Sequence, residues 1–332
     1  MSESGPAPAA ARAVAARPRA WMAATALALA AAVVFAVLYF RRPVEEKPAI
    51  RFPVFAPEKT VFGGSLALSP DGRYLAFRLN LQDGGAVYAI RPLDSLAARV
   101  LPGAEEAVWA FWSPDSRFLG FYGGGKLKKV DVTGGPAQSL TDSPAGGGGS
   151  WNRQGVILFA RGYSGGLFRV PAEGGAPAPV TDLDASQQDS GHLWPRFLPD
   201  GRHFLFLVRS LRPERQGIHL GSLDSKQTRR VIQADSMLEY APPRDGRAGH
   251  VLFVREGTLM AQPFDERKMA VAGQPFPVAE QVGYVQTHGG AFFAVSAAGV
   301  LAYRSAGAVN TNLVWFDRIG KSLDTPGPPS DY

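Results

Sequence analysis

The chain has 332 residues, 38 of them glycine, 27 proline and none cysteine, and its formal charge is +6 at pH 7. Without cysteine there is no disulfide framework, no thiolate metal site and no cysteine nucleophile. The charge divides into +3 over residues 1–48 and +3 over the remaining 284, too dilute for a basic nucleic-acid-binding stripe. Hydrophobic residues make up 45%, which suits a packed core, and the glycine and proline content predicts many short strands between turns.

Residues 1–19 are rich in Ala, Pro and Arg and read as a disordered cytoplasmic tail. Residues 20–40 follow, and from Trp21 to Phe40 they carry no charge. Twenty apolar residues at about 1.5 Å each span roughly 30 Å, the thickness of the hydrocarbon core. Trp21 and Tyr39 stand near the two ends, where aromatic residues favour the headgroup region. A cleaved signal peptide has an apolar stretch of about 7–15 residues ending in small residues. This run is longer and ends Leu38-Tyr39-Phe40-Arg41-Arg42, so a retained single-pass anchor is the expectation. Arg12, Arg17 and Arg19 on one side balance Arg41, Arg42 and Lys47 on the other. Positive charge therefore does not orient the helix, and the large following domain is expected outside the cytoplasm. Residues 41–48 are a linker.

From residue 49 a repeat organises the chain. Leu68-Ser69-Pro70-Asp71-Gly72-Arg73-Tyr74-Leu75-Ala76-Phe77 recurs as Trp112-Ser113-Pro114-Asp115-Ser116-Arg117-Phe118-Leu119-Gly120-Phe121 and as Leu198-Pro199-Asp200-Gly201-Arg202-His203-Phe204. Weaker copies start at Trp151, Pro243 and Ser296. Each copy is a tight turn: Pro sets φ, Asp bonds back to the backbone and Gly supplies positive φ. A buried strand follows each turn. A period of about 45 residues with strand-rich content is the signature of propeller blades. The predicted fold is all-β, a six-bladed propeller of four-stranded blades over 49–332 preceded by one transmembrane helix. The blades are placed at 63–103, 104–143, 147–184, 190–235, 236–281 and 289–325. The stretch Ile50–Phe55 is an orphan strand suited to closing the last blade.

The Ser-Pro-Asp-Gly-Arg repeats resemble the WD40-like (PD40) repeats of six-bladed, TolB-like propellers. The stretches 151–159, 194–204 and 313–321 are similar to the extracytoplasmic propellers of acidobacterial transmembrane serine/threonine kinases. That resemblance implies a sensor or protein-interaction domain on the outer side of a bacterial inner membrane, in a signalling context. The kinase signatures that such relatives carry before the membrane span are absent here, so kinase activity is not carried over. Such relatives tend to continue beyond Gly-Asp-Tyr, whereas this sequence stops at Asp331-Tyr332. A C-terminally truncated fragment of a larger receptor kinase is therefore an alternative reading.

Candidate chemistry is sparse. Gly162-Tyr163-Ser164-Gly165-Gly166 has the spacing of a nucleophile elbow, but it lies between two short strands with no helix to follow, and a hairpin turn is expected. Gly120 to Lys126 matches part of a phosphate loop, but Leu127 stands where a hydroxyl is needed, and again a hairpin is expected. The repeated Asp71, Asp115, Asp200 and Asp245 each serve their own turn and cannot converge. No metal or other cofactor is expected, and no enzymatic activity. The alternative is a hydrolase or lactonase of propeller type, which needs acidic residues converging on the channel; only Glu106 and Glu239 lie near such positions.

In a propeller, the loops leading into the inner strands surround the mouth of the central channel. The candidate binding rim is Trp109, Trp151, His192, Trp194, Arg196, Glu239, Tyr240 and His288, aromatic and hydrogen-bonding groups suited to an unidentified small molecule or protein. The same tryptophans also suit plain packing between blades.

Overall fold

The computed structural model describes residues 18–40, 50–105, 107–144, 146–244, 246–305, 315–316 and 322–324. It divides into two units, Met1–Pro53 and Val54–Tyr332. In the first, Pro18–Phe40 is a 23-residue helix. Its side chains from 21 to 37 are exposed, with Trp21, Leu27 and Phe35 each about three-quarters accessible (78%, 75% and 75%). No helix among the described residues is long and apolar enough to cross a membrane. The helix expected over 20–40 is thus present, but the described side chains do not carry its assignment as a span.

The second unit is a propeller of four-stranded antiparallel blades, each a meander from an inner to an outer strand. The inner strands are Thr60–Leu68 in blade 1, Val108–Trp112 in blade 2, Gly149–Trp151 in blade 3, Asp189–Phe197 in blade 4 and Leu238–Ala241 in blade 5. In blade 5 two short segments, Ala270–Val271 and Phe276–Ala279, both pair with the third strand, Thr258–Asp265.

The turn chemistry explains why the blades start where they do. In blade 1, Asp71 Oδ1 accepts the Arg73 amide (3.0 Å) and the Ser69 hydroxyl (2.6 Å), while Ser69 Oγ accepts the Tyr74 amide (2.9 Å). Blade 2 repeats this with Asp115 taking the Arg117 amide (3.1 Å) and Ser113 the Phe118 amide (2.8 Å). Blade 3 has no Asp in the turn, and Asn152 Oδ1 takes both amides, of Gln154 (3.1 Å) and Val156 (2.9 Å). Asp200 caps blade 4 through the amides of Arg202 and His203. Asp245 lies outside the described residues. After each turn the second strand carries a phenylalanine at the same position: Phe77, Phe121, Phe159, Phe206 and Phe253, none more than 3% exposed. These rings fill the seams between blades, which is why a single blade has no core of its own.

Among the described residues five such blades are formed where six were expected. The sixth repeat reduces to two separate two-stranded ladders, Tyr284–Val285 with Gly290–Ala291 and Phe293–Val295 with Leu301–Tyr303. Its sequence from Gly289 to Ala302 is dominated by Gly and Ala, poor strand formers, and keeps only the Ser296 half of the turn cap, accepting the Val300 amide. The outer strand expected near Lys321-Ser322-Leu323 forms only a short ladder, Ser322–Asp324 on Trp315–Phe316. Phe293–Val295 nevertheless lies between the inner strands of blades 5 and 1. Phe293 packs in the cluster of Leu207 and Leu252, and Ala294 in that of Leu68 and Phe77. Arg304 donates from Nη1 to the carbonyls of Phe62 (2.8 Å) and Gly63 (2.7 Å) of blade 1. The ring of inner strands therefore closes through a hairpin. Ile50–Phe55 forms no strand and does not supply the closing edge.

A candidate binding site at the channel mouth

The pairing register sets equivalent positions on the inner strands. Ala67, Phe111, Ser150, Arg196, Glu239 and Ala294 each pair with the residue beside the recurring seam phenylalanine or its counterpart, and so form one layer around the channel. With the next layer, which includes Trp112, Trp151 and Tyr240, they line a cavity of about 180 Å³ at the end of the channel nearest the Ser-Pro-Asp turns.

Arg196 and Glu239 dominate that cavity. Arg196 donates from Nε to Glu239 Oε2 (2.7 Å) and from Nη1 to the Gly149 carbonyl (2.6 Å), and its Nη2 meets Glu239 Oε1. Burial pushes the Glu239 carboxyl above its ordinary range, and the facing guanidinium pulls it back. Trp151 stacks on Phe118 at 6.2 Å between centroids, with Lys129 over its ring, so it is a seam residue between blades. Tyr240 is buried and donates to Glu266 Oε1 (2.6 Å), away from the mouth.

The mouth lies two residues earlier on the inner strands. Here the equivalent positions hold Trp109, Gly148 and Trp194 in blades 2, 3 and 4, all with left-handed backbone (φ 51°, 85° and 55°). In blades 2 and 4 the ladder slips at this point, a β-bulge that re-aims the side chain. Gly148 is what allows the two indoles to meet across blade 3, because a Cβ there would lie 2.6 Å from the Trp194 ring. Trp109 and Trp194 pack edge to face at 4.5 Å. His288 joins from the loop before Gly290–Ala291, 5.5 Å from Trp109, and Tyr163 lies parallel over it at 4.4 Å. A Cβ on Gly290 would lie 2.6 Å from the Trp109 ring, so glycine is required there too.

Hydrogen bonds lock the four rings together. Trp109 Nε1 donates to the Tyr163 hydroxyl (2.9 Å), Trp194 Nε1 to the His288 carbonyl (2.8 Å) and the Gly290 amide to His288 Nδ1 (3.1 Å). Burial, then the nearby Arg209 charge, lowers the His288 pKa. Burial raises that of the Tyr163 phenol against the Trp109 donation. Tyr163 remains 38% exposed.

His192, expected on the rim, is fully buried within blade 4. Along a strand, successive side chains alternate faces, and this one turns inward onto Phe206 (5.0 Å). Its Nδ1 pairs with the Thr181 hydroxyl (2.8 Å), and its Nε2 faces Asp189, which is held by Arg215 through two 3.1 Å contacts. Burial drives the His192 pKa down to about 4. The network also anchors the Tyr163 turn, since Thr181 Oγ1 accepts the Leu167 amide and the His192 amide donates to the Gly165 carbonyl.

The eight expected rim residues thus separate into a mouth set (Trp109, Trp194, His288), a base set (Trp151, Arg196, Glu239, Tyr240) and the buried His192. Tyr163 and Arg209 complete the mouth and were not foreseen. The signal for Tyr163 was an aromatic residue in the Gly-rich turn between the second and third strands of blade 3, and that turn is a hairpin connection between Val156–Ala160 and Leu167–Pro171. The Gly120–Lys126 segment is likewise a hairpin between paired strands. Glu106 lies outside the described residues. A wider surface cleft of about 570 Å³, lined by Ser210, Gln216, Gln233, Arg255 and Glu256, opens off blades 4 and 5 without any of the clustered rings. Among the described residues no group of three or more His, Asp and Glu side chains is placed to hold a metal.

The architecture is that of a β-propeller with four-stranded blades. No family model matches the sequence, and no curated protein does. Among solved structures the chain is similar to a protein assigned as TolB from Agrobacterium tumefaciens (TM-score 0.53, 16% identity, 74% of this chain and 91% of that one). It is also similar to oligogalacturonate lyase from Vibrio parahaemolyticus (TM-score 0.50, 14% identity, 78% and 82%). Against TolB from Acinetobacter baumannii (TM-score 0.49, 13% identity) 65% of this chain spans 54% of that protein's length. At these identities the likeness is one of fold.

Proposed function

We propose that this protein is a ligand-sensing propeller that binds its target at the aromatic mouth. The observation that carries this reading is the pair Trp109 and Trp194, both held in left-handed backbone at bulges. Such a conformation costs a non-glycine residue on the order of 1–3 kcal/mol. Seam packing alone does not require it, because the seam phenylalanines sit in ordinary strands. Binding is favoured over catalysis because the carboxylate that faces the channel, Glu239, is tied to Arg196 on both oxygens. The helix Pro18–Phe40 tethers the propeller to a bacterial cytoplasmic membrane, with the propeller outside; the uncharged sequence run Trp21–Phe40 supports this. The signalling role rests on the kinase-associated propellers that residues 151–159, 194–204 and 313–321 resemble.

The test is tryptophan emission of the full chain in detergent, titrated with indole, phenol, phenylacetate and tyramine. A saturable change with at least one of them, abolished in Tyr163→Ala and retained in Trp151→Phe, is the expected result. No saturable change, or one that Tyr163→Ala leaves intact, overturns the reading. The tether is tested by carbonate washing of membranes and by protease access from the outer face. Release of the protein into the wash, or protection of the propeller in spheroplasts, would contradict it.

A further inference from the structure

The mouth offers hydrogen-bond donors and little that accepts. His288 Nδ1 already receives the Gly290 amide, so the neutral imidazole carries its hydrogen on Nε2. The Tyr163 oxygen receives the Trp109 indole N–H, which leaves the phenolic hydrogen to be given away. Arg209 spends one N–H on the Thr287 carbonyl, next to His288, and forms no ion pair among the described residues. The acid beside it on the neighbouring strand, Asp189, is buried and taken by Arg215. A guanidinium thus stands beside a neutral imidazole on which the Tyr163 ring stacks, next to the half-buried Trp109 with Trp194 buried behind it, and it pairs with no carboxylate among the described residues. Ring faces favour a flat or apolar body, and a partly desolvated cation with free N–H groups favours a charge of opposite sign.

From this arrangement, and resting on the reading of the mouth as a binding site, we infer that the ligand is a small organic anion: a carboxylate or phosphate on a flat or apolar body. The body lies against Tyr163 and Trp109, and the anionic group meets Arg209, the His288 Nε2–H and the Tyr163 hydroxyl.

Calorimetric titration of the full chain in detergent with phenylacetate, phenyl phosphate and uncharged phenylacetamide tests this. One or both anions should bind at least tenfold more tightly than the amide, and which of them does identifies the group recognised. Arg209→Gln should weaken the anions at least fivefold and leave the amide unchanged, while Arg209→Lys, which keeps the charge, should retain most of the preference. Equal binding of amide and anions, an Arg209→Gln protein that binds anions as well as the parent, or no binding of any of the three overturns the inference. If the amide binds as well as the anions and Tyr163→Ala abolishes both, the mouth remains a binding site and only the charge assignment falls.

Discussion

Arg196 and Glu239 face each other with 22% and 10% side-chain exposure, and the guanidinium also serves the Gly149 carbonyl. Removing one member strands the other charge in the channel, which costs about 3–5 kcal/mol, whereas removing both is far milder. Urea denaturation should therefore show Arg196→Leu destabilised by about that amount and the Arg196→Leu, Glu239→Leu double variant largely recovered; equal losses in both would contradict the pairing. His192 and His219 are both fully buried, and burial lowers each pKa from 6.5 to about 4. Between those values the unfolded chain binds protons that the native protein refuses, so stability is complete above about pH 6.5 and falls as pH drops towards 4, by up to about 1.4 kcal/mol per pH unit per histidine. Melting curves from pH 7 to pH 4 should show that loss, and His219→Leu, which removes a ring whose Nδ1 has no partner, should make the slope shallower. At this scale Trp109, Trp194 and His288 were legible, since aromatic residues just ahead of a repeat can be placed at the mouth by counting. His192 was not, because whether a strand residue faces a channel or a seam depends on the bulge two residues later, and Arg209 gave no local pattern at all.

The bulges set the element scale. Trp109 and Trp194 occupy equivalent positions one blade apart from Gly148, and the left-handed turn of the chain is shared by all three. Gly148→Ala would place a methyl 2.6 Å from the Trp194 ring in a backbone region unfavourable to alanine. The expected outcome is a loss of about 1–3 kcal/mol together with a changed near-ultraviolet circular dichroism signal from the separated indole pair. An unchanged spectrum would mean that the two rings are not held in contact. The turns were readable as turns, with Pro, Asp and Gly in their roles, because those residues act there through local bonds; the Ser and Asn caps came only with the structure. The substitution of Asn152 for the Ser and Asp of its neighbours follows the same chemistry. The bulges were invisible because no single residue type marks them.

The propeller unit, Val54–Tyr332, is a ring of inner strands with one weak joint. The repeat period predicted six full blades, and five form among the described residues; the last copy is rich in Gly and Ala, and its hairpin completes the inner ring through Phe293, Ala294 and Arg304. If that joint closes the ring, Phe293→Ala should lower the stability of the entire propeller by about 3–5 kcal/mol within one cooperative transition, as calorimetry would show. A separate early transition, with the rest unaffected, would make the hairpin an appendage. The claim on which the functional reading turns is that the mouth, and not the base of the channel, receives the ligand. Its most direct measurement is an indole ¹⁵N–¹H spectrum of the ¹⁵N-tryptophan-labelled chain, titrated with phenylacetate. The signals of Trp109 and Trp194 should move together and saturate, while those of Trp112 and Trp151 at the other end of the channel stay in place. Movement of Trp112 and Trp151 without Trp109 would put the ligand beside Arg196 and Glu239 and contradict the mouth as the site of recognition.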